Sequence, residues 1–165
     1  ARNEKFTAII SAMNIDLFGR IALNLGAGNV AMDSARTAMR LGAEKVRIVY
    51  RRSRQEMPAR IAEIHHAEEE GIEFFLLTNP TRYLGNEKGR LTGMQCLEME
   101  LGEPDASGRR RPVPVEDSEF EIACDTVIAA VGQSVDLGLA TRPRKESEKG
   151  RGQGLVHTAV RARVV

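Results

Sequence analysis

The feature that most constrains this chain is a turn with two glycines, placed between an apolar segment and a helical one. Residues 20–25 (RIALNL) have the pattern of a short buried strand, and Gly26-Ala27-Gly28 follow it directly. A helix fits residues 29–41, because small side chains recur there at helical spacing and Gly42 provides a C-terminal cap. A strand, a glycine turn and a helix in this order predict a unit of an α/β protein.

The same alternation continues along the chain. Strands are predicted at residues 46–50 and 72–77, and Pro58 between them suits the first position of a second helix. The order strand, helix, strand, helix, strand predicts a parallel sheet whose crossover connections are right-handed.

The second half of the chain has a different pattern. Residues 79–124 contain no convincing helix, and antiparallel strands are expected there at 83–85, 91–101 and 120–124. Residues 102–114 are expected to form a long polar loop that carries Arg109-Arg110-Arg111, either solvated or turned toward an acidic partner. The apolar residues 126–131 return as a strand of the parallel sheet. We therefore expect an α/β, Rossmann-like three-layer domain with a parallel β-sheet and an antiparallel β-meander insertion.

The glycine turn carries chemistry as well as geometry. Residues 26–31 (GAGNVA) match the G-x-G-x-x-A motif of dinucleotide-binding folds. Gly26 permits the tight turn, Gly28 lets a pyrophosphate approach the backbone, and Ala31 allows the helix to pack closely on the strand. Backbone N–H groups at the helix start then bind the anion. The alternative is a plain strand–turn–helix that uses glycine for geometry alone.

The segment after the second strand indicates which nucleotide is bound. NAD-binding units usually carry Asp or Glu there, which accepts a hydrogen bond from the ribose 2′-hydroxyl. This chain instead has Arg51 and Arg52, 25 and 26 residues after Gly26. Guanidinium groups bind a 2′-phosphate that a carboxylate would repel, so we predict a preference for NADP(H) over NAD(H). The alternative is a solvated basic turn.

Two small residues at the end of the last predicted parallel strand, Ala130 and Gly132, are further candidates. Strand ends at the carboxyl edge of such a sheet line the cofactor crevice. Ala130 and Gly132 would let the nicotinamide half of the cofactor pass close to the backbone. A glycine that simply ends the strand is the alternative for Gly132.

Composition limits the other classes of function. The formal net charge of +1 gives no reason to expect nucleic acid or a membrane surface as a partner. No apolar run reaches the roughly 20 residues of a membrane helix, and the polar start shows no signal peptide, so a cytoplasmic location is expected. Cys96 and Cys124 fit no metal or redox spacing and are expected to be buried, reduced thiols. Neither a metal site nor a set of catalytic residues is identified.

Several short segments carry a family resemblance when they are taken together and in order. They are residues 28–33 (GNVAMD), 49–54 (VYRRSR), 56–60 (EMPAR), 100–105 (ELGEPD), 111–114 (RPVP) and 130–133 (AVGQ). Over about residues 20–135 the chain resembles the small subunit of NADPH-dependent glutamate synthase. Ferredoxin-linked transhydrogenases and dihydropyrimidine dehydrogenase contain similar parts.

The resemblance implies a flavoprotein with two dinucleotide-binding domains, in which NADPH passes a hydride to FAD. Electrons then leave through iron–sulfur clusters toward the large, glutamate-forming subunit. By motif position, the pyrophosphate would be held by Gly26, Gly28, Asn29 and Val30. The 2′-phosphate would be held by Arg51 and Arg52.

The chain lacks two features of this family, and its ends before about residue 18 and after about 136 do not match the family. It contains one G-x-G-x-x-A motif, so a second loop for FAD is missing, and it has no cysteine cluster for iron–sulfur centres. We therefore interpret residues 19–137 as the NADP(H)-binding domain of a larger enzyme, inactive without its FAD domain. Residues 1–18 are expected to be a lead-in, and residues 138–165 a flexible basic loop and terminal strand. The alternatives are a non-enzymatic module with a lost nucleotide site, acting in protein contacts, and a self-sufficient dehydrogenase.

Overall fold

The computed structural model describes residues 16–131 except positions 105 and 107. In chain order its elements are β1 (Ile21–Leu25), α1 (Asn29–Arg40), β2 (Lys45–Val49), a 3-10 helix (Arg54–Glu56), α2 (Ile61–Glu69), β3 (Glu73–Phe75), β4 (Thr78–Gly85), β5 (Leu91–Pro104), β6 (Arg110–Ala123) and β7 (Thr126–Ala129). The predicted terminal segment at 138–165 and most of the predicted lead-in at 1–18 lie outside the described residues.

Four strands form a parallel sheet in the order β3-β2-β1-β7. The central strand β1 is deeply buried, since all its side chains from Ala22 to Leu25 lie inside. Leu25 pairs with Val49 of β2 and with Ala129 of β7, so these three strands end side by side. The predicted parallel sheet is confirmed, including the return of the last strand.

The helices α1 and α2 cover one face of the parallel sheet. Ala31, Ala35 and Ala38 of α1 are fully buried and belong to the same apolar cluster as the residues of β1 and β2 beneath them. Such small side chains let a helix lie close to a strand. Arg36 of α1 joins the helical layer through ion pairs to Glu63 and Glu70, at 2.9 and 2.8 Å.

The opposite face of the parallel sheet packs on an antiparallel sheet with the order β4-β5-β6. Leu23 of β1 lies in one buried cluster with Met94, Cys96 and Ile122 of this second sheet. Its neighbour Ala22 belongs instead to the cluster under the helices. The alternation follows from the two-residue period of a strand, which sends successive side chains to opposite faces. The predicted three-layer fold with a β-meander is thereby confirmed.

The second helix begins later than the sequence predicts. α2 starts at Ile61 and not at Pro58. The backbone N–H of Ala59 donates to the carbonyl oxygen of Ala27 at 3.1 Å. This tertiary hydrogen bond holds the segment against the glycine turn, so the helix starts only after it.

The predicted polar loop at 102–114 is mostly a hairpin. β5 runs to Pro104 and β6 starts at Arg110, and these two residues are paired across the hairpin. Sequence reasoning missed the strands because their side chains are largely exposed here, so no apolar alternation marks them. In contrast, β3 ends at Phe75, two residues earlier than predicted, because Leu77 has a φ of +49° and turns the chain into β4.

Cys96 and Cys124 lie in the cluster between the two sheets, and both are buried free thiols, as predicted. Burial raises the pKa of each thiol from 9.0 to about 11, because a thiolate is poorly solvated there. The Asp125 carboxylate adds to the effect at Cys124 by repelling a second negative charge.

We expect the free energy of unfolding to fall as the pH rises from 9.0 toward about 11, because the thiols ionise in the unfolded chain before they ionise in the folded one. Below this pH range the thiols are neutral in both the folded and the unfolded chain, so their contribution to the free energy of unfolding is constant. Urea unfolding at a series of pH values measures the effect, with the Cys96→Ala/Cys124→Ala double variant as control. An equally steep decline in the control would contradict this explanation.

Candidate functional site

The carboxyl edge of the parallel sheet gathers most of the residues that the sequence singles out. β1, β2 and β7 end there side by side. The turn at residues 26–28, the segment 50–60 that follows β2, and Ala130 therefore lie along this edge. Gly132, the other residue predicted at this edge, lies outside the described residues.

Gly26 is required by the packing of the backbone. It has a φ of +124°, and a Cβ atom there would lie 2.4 Å from the carbonyl oxygen of Ala130. The N–H of Gly26 donates to the carbonyl oxygen of Val49 at 3.1 Å. The N–H of Ala130 donates to the carbonyl oxygen of Leu25 at 2.8 Å. Gly26 thus lets the ends of three strands come together, with the backbone of Ala130 directly against it.

Gly28 is open toward the first turn of α1. Its φ of −86° and ψ of 176° suit any residue, and the nearest atom to a Cβ placed there is Cγ of Pro58, at 4.0 Å. The fold therefore does not require glycine at this position. No side chain caps α1, and its first turn carries no acidic residue. A helix N-terminus without a cap or a negative charge offers its N–H groups and its positive dipole end to an anion.

Asn29 and Val30 begin α1 and differ in what their side chains do. Oδ1 of Asn29 accepts a hydrogen bond from the backbone N–H of Arg60 at 2.9 Å. The Asn29 side chain therefore holds the segment before α2, and the group that Asn29 offers at the helix start is its backbone N–H. The Val30 side chain is 54 % exposed at the surface of the same turn.

Asn24 supports the turn from inside, and sequence reasoning did not single it out. It is fully buried in β1, where its Nδ2 donates to the carbonyl oxygen of Ala31 at 2.8 Å and to Oγ of Ser34 at 2.7 Å. These bonds tie the first turn of α1 to the central strand. The signal in the sequence was an amide within an otherwise apolar strand, since a buried amide needs hydrogen-bond partners.

The arginines after β2 have different environments. Arg51 is exposed and makes no ion pair with any residue in the described part of the chain. Arg52 is 8 % exposed, and its Nε donates to the carbonyl oxygen of Arg110 at 2.8 Å. Arg54 pairs with Glu68 on α2 through both terminal guanidinium nitrogens. Arg51 therefore presents its charge at the edge of the sheet, while Arg52 and Arg54 join this segment to the hairpin and to α2.

The tip of the β5–β6 hairpin contacts the same segment. Nε of Arg110 donates to Glu56 at 3.0 Å, and the Ser53 hydroxyl donates to the other carboxylate oxygen. The Ser53 hydroxyl, and after it the Arg110 guanidinium, hold the pKa of Glu56 below its ordinary value. Arg110 is thus engaged within the fold by its ion pair with Glu56, a contact that the sequence did not indicate. The sequence signal for this contact was Glu56 itself, the one acidic residue among the arginines of residues 51–60.

Among residues 16–104, 106 and 108–131, no three His, Cys, Asp or Glu side chains are grouped so that they could hold a metal ion. None of the helices formed by these same residues is long and apolar enough to cross a membrane.

Solved structures of a thioredoxin reductase and of FprA share this fold. The thioredoxin reductase of T. acidophilum superposes with a TM-score of 0.55 at 16 % identity, covering 76 % of this chain and 34 % of that one. FprA of Mycobacterium tuberculosis in complex with NADPH gives a TM-score of 0.60 at 18 % identity, covering 75 % of this chain and 41 % of that one. At such identities the likeness shows a common fold.

Curated relatives are more similar in sequence. The NADP(+)-dependent formate dehydrogenase subunit beta of Moorella thermoacetica is 53 % identical over 129 residues, which cover 76 % of this chain and 18 % of that protein. The NADPH-Fe(3+) oxidoreductase subunit beta of Geobacter sulfurreducens is 53 % identical over 119 residues, with 72 % and 18 % covered. The chain thus spans about a fifth of the length of these relatives.

The predicted resemblance to glutamate synthase is confirmed. The glutamate synthase [NADPH] small chain of Azospirillum brasilense is 41 % identical over 119 residues, which cover 72 % of this chain and 24 % of that protein. The sequence pattern described as pyridine nucleotide-disulphide oxidoreductase matches residues 12–161. The chain therefore belongs to the pyridine nucleotide-disulphide oxidoreductase family, which uses FAD and NAD(P).

Proposed function

We propose that this chain is the NADP(H)-binding domain of a flavin-dependent oxidoreductase of the glutamate synthase small-subunit type. In this role it positions NADPH for hydride transfer to an FAD that another domain holds. The observation that carries the proposal is the arrangement at the carboxyl edge of the sheet. The uncapped, acid-free N-terminus of α1 and the exposed Arg51 lie along this same edge.

The pyrophosphate of NADPH is assigned to the start of α1. Gly28 leaves space in front of the backbone N–H groups of Asn29 and Val30, and the Ala27 and Asn29 contacts with the segment before α2 fix the shape of the turn. An anion bound there gains hydrogen bonds and the favourable end of the helix dipole. Gly26 serves the same loop indirectly, because it allows the chain to turn beside Ala130.

The 2′-phosphate is assigned to Arg51, with Arg52 in a supporting role. Arg51 provides an exposed guanidinium at the end of β2, where an NAD-binding unit usually carries an acid. Arg52 is held by the carbonyl oxygen of Arg110, so we assign it to shaping the segment more than to reaching the ligand. Charge-assisted bonds to a phosphate then favour NADP(H).

The nicotinamide half is assigned to the end of β7. The backbone of Ala130 lies beside the glycine turn, and Gly132 follows two residues later in the sequence. NADPH supplies the hydride when it is bound. The role of this chain is to hold and orient NADPH, because the sequence contains no second glycine loop for the FAD that accepts the hydride.

The partners in this proposal are the FAD-binding domain and the iron–sulfur-containing or glutamate-forming subunit of the parent enzyme. Two of the similar proteins are named as subunits of larger enzymes. One is the beta subunit of an NADPH-Fe(3+) oxidoreductase, and the other is the small chain of an NADPH glutamate synthase. The proposal follows these names because the family match, over residues 12–161, includes the whole candidate site. The isolated chain is then expected to bind the nucleotide and to turn nothing over.

The two glycines of the turn provide a matched pair of tests. Gly28→Ala is expected to change the free energy of unfolding by no more than about 1 kcal/mol, because its backbone angles and surroundings accept a methyl group. The same methyl group stands where the pyrophosphate approaches, so NADPH affinity is expected to fall about tenfold or more. Gly26→Ala is expected to destabilise the fold itself by about 2 kcal/mol or more, because of its positive φ and the contact with Ala130.

Urea unfolding and calorimetric titration of both variants measure these effects. A Gly28→Ala variant that is stable and still binds NADPH with unchanged affinity would place the nucleotide elsewhere. An unstable Gly28→Ala variant would contradict the geometry given for the turn.

Replacing Arg51 tests the choice of nucleotide. Arg51→Ala is expected to weaken NADPH binding by about 10- to 100-fold, because a charged hydrogen bond contributes about 1.5–3 kcal/mol. NADH has no 2′-phosphate, so its affinity is expected to stay within about twofold. The loss for NADPH is expected to shrink at high salt, because exposed charges are screened.

Arg90→Ala is the matched control, since Arg90 is an exposed arginine in the turn between β4 and β5, at the other end of β5 from the hairpin tip. Equal losses for NADPH in both variants would mean that only overall charge matters. Unchanged NADPH binding in Arg51→Ala would remove the proposed 2′-phosphate site. The absence of saturable NADPH binding in the unchanged chain would favour a module without a nucleotide.

A further inference from the structure

The hairpin tip and the segment after β2 are joined by a group of polar residues that we call the Glu56 cluster: Ser53, Glu56 and Arg110. Glu56 is 8 % exposed at its side chain, and Arg110 is 44 % exposed. The carboxylate receives the Ser53 hydroxyl on one oxygen and Nε of Arg110, at 3.0 Å, on the other. The cluster therefore joins parts of the chain that are 54 residues apart in sequence.

Glu56 creates an electrostatic problem for the proposed ligand. It is ionised at neutral pH, since its partners lower its pKa. It also lies in the segment that carries Arg51, where the 2′-phosphate is assigned. A carboxylate beside a phosphate dianion repels it, which is how NAD-specific units reject NADP(H). The segment therefore needs a cation that neutralises Glu56 if it is to accept the phosphorylated ribose.

Among the described residues, Arg110 is the cation that contacts the Glu56 carboxylate. Ser53 contributes a hydrogen bond and no net charge. Arg54, two residues earlier, is held by Glu68 on α2. The hydroxyl of Tyr50, the residue after β2, donates to the backbone carbonyl oxygen of Glu56 at 2.8 Å and brings no charge to its carboxylate. The neutralising charge thus comes from β6, outside the segment that carries the nucleotide motif.

We propose that Arg110 is a specificity-determining positioning residue: by neutralising Glu56 it allows the segment after β2 to accept a 2′-phosphate. The inference rests on the proposed function above, which places that phosphate at Arg51. Without Arg110, the Glu56 carboxylate acts as the acid of an NAD-binding unit does and opposes the phosphate. The preference for NADP(H) then depends on the antiparallel insertion as well as on the arginines that follow β2.

The test compares NADPH and NADH affinities of variants of the 165-residue chain by calorimetric titration. Arg110→Met keeps the length of the side chain and removes its charge. It is expected to lower the NADPH-over-NADH preference about tenfold, equivalent to about 1.4 kcal/mol, with NADH affinity within about twofold of the unchanged chain. Arg111→Met removes the same charge from the next residue along β6, which points to the other face, and is expected to leave the preference unchanged.

The decisive variant is the Arg110→Met/Glu56→Gln double substitution. Glutamine still accepts the Ser53 hydroxyl but carries no charge, so the double variant buries no unpaired ion and is expected to fold. Its NADPH preference is expected to return to within about threefold of the unchanged chain. A double variant with a preference still about tenfold lower would overturn the inference, and so would equal losses in Arg110→Met and Arg111→Met.

The failure of this inference can be told apart from the failure of the proposed function. If Arg51→Ala leaves the NADPH preference unchanged, the 2′-phosphate site itself is wrong. If Arg51→Ala lowers the preference and Arg110→Met does not, the site stands and the role of Arg110 is rejected. Thermal unfolding of each variant separates a loss of binding from a loss of the fold. If Arg110→Met alone does not fold, Glu56→Gln alone, in which the Arg110 charge is unopposed, is expected to raise the NADPH preference, and an unchanged preference would reject the role of Arg110.

Discussion

The close approach of two backbones at Gly26 is the constraint on which the rest of the structure depends. The chain leaves β1 with a positive φ at Gly26, and the carbonyl oxygen of Ala130 occupies the place where any side chain would stand. Because of this contact, β1, β2 and β7 end at one level, and α1 starts directly in front of them. The N-terminus of α1, where the pyrophosphate is proposed to bind, is thereby placed beside the segment that carries Arg51.

The three layers contribute to the site in different ways. The helical layer provides the N-terminus of α1, which Asn24 anchors to β1 from inside. The parallel sheet provides the edge. The antiparallel sheet packs on the other face of the parallel sheet through Leu23 and Cys96, and its hairpin tip brings Arg110 to Glu56. The antiparallel sheet is separate from the parallel sheet that forms the edge, and yet it contacts the segment that is proposed to select the nucleotide.

The parts predicted from the sequence are those that local patterns determine. The glycine turn, the start of α1 and the parallel order follow from spacing and from residue types within a few positions of each other. The contact between Glu56 and Arg110 could not be predicted, because it joins residues far apart in the chain. Likewise, adjacent arginines look alike in sequence, and only the docked hairpin makes Arg52 buried and leaves Arg51 exposed. The late start of α2 has the same kind of cause, a tertiary bond from Ala59 to the glycine turn.

The central claim is that one edge of the sheet holds NADP(H) by its pyrophosphate and its 2′-phosphate together. Titration of the ¹⁵N-labelled chain with NADP⁺, followed by amide chemical shifts, tests it most directly. The account expects saturable shifts that are largest at residues 26–30 and 51–53, and a loss of the second set when NAD⁺ replaces NADP⁺. Shifts that do not saturate, or that cluster away from the carboxyl edge of the parallel sheet, would contradict it.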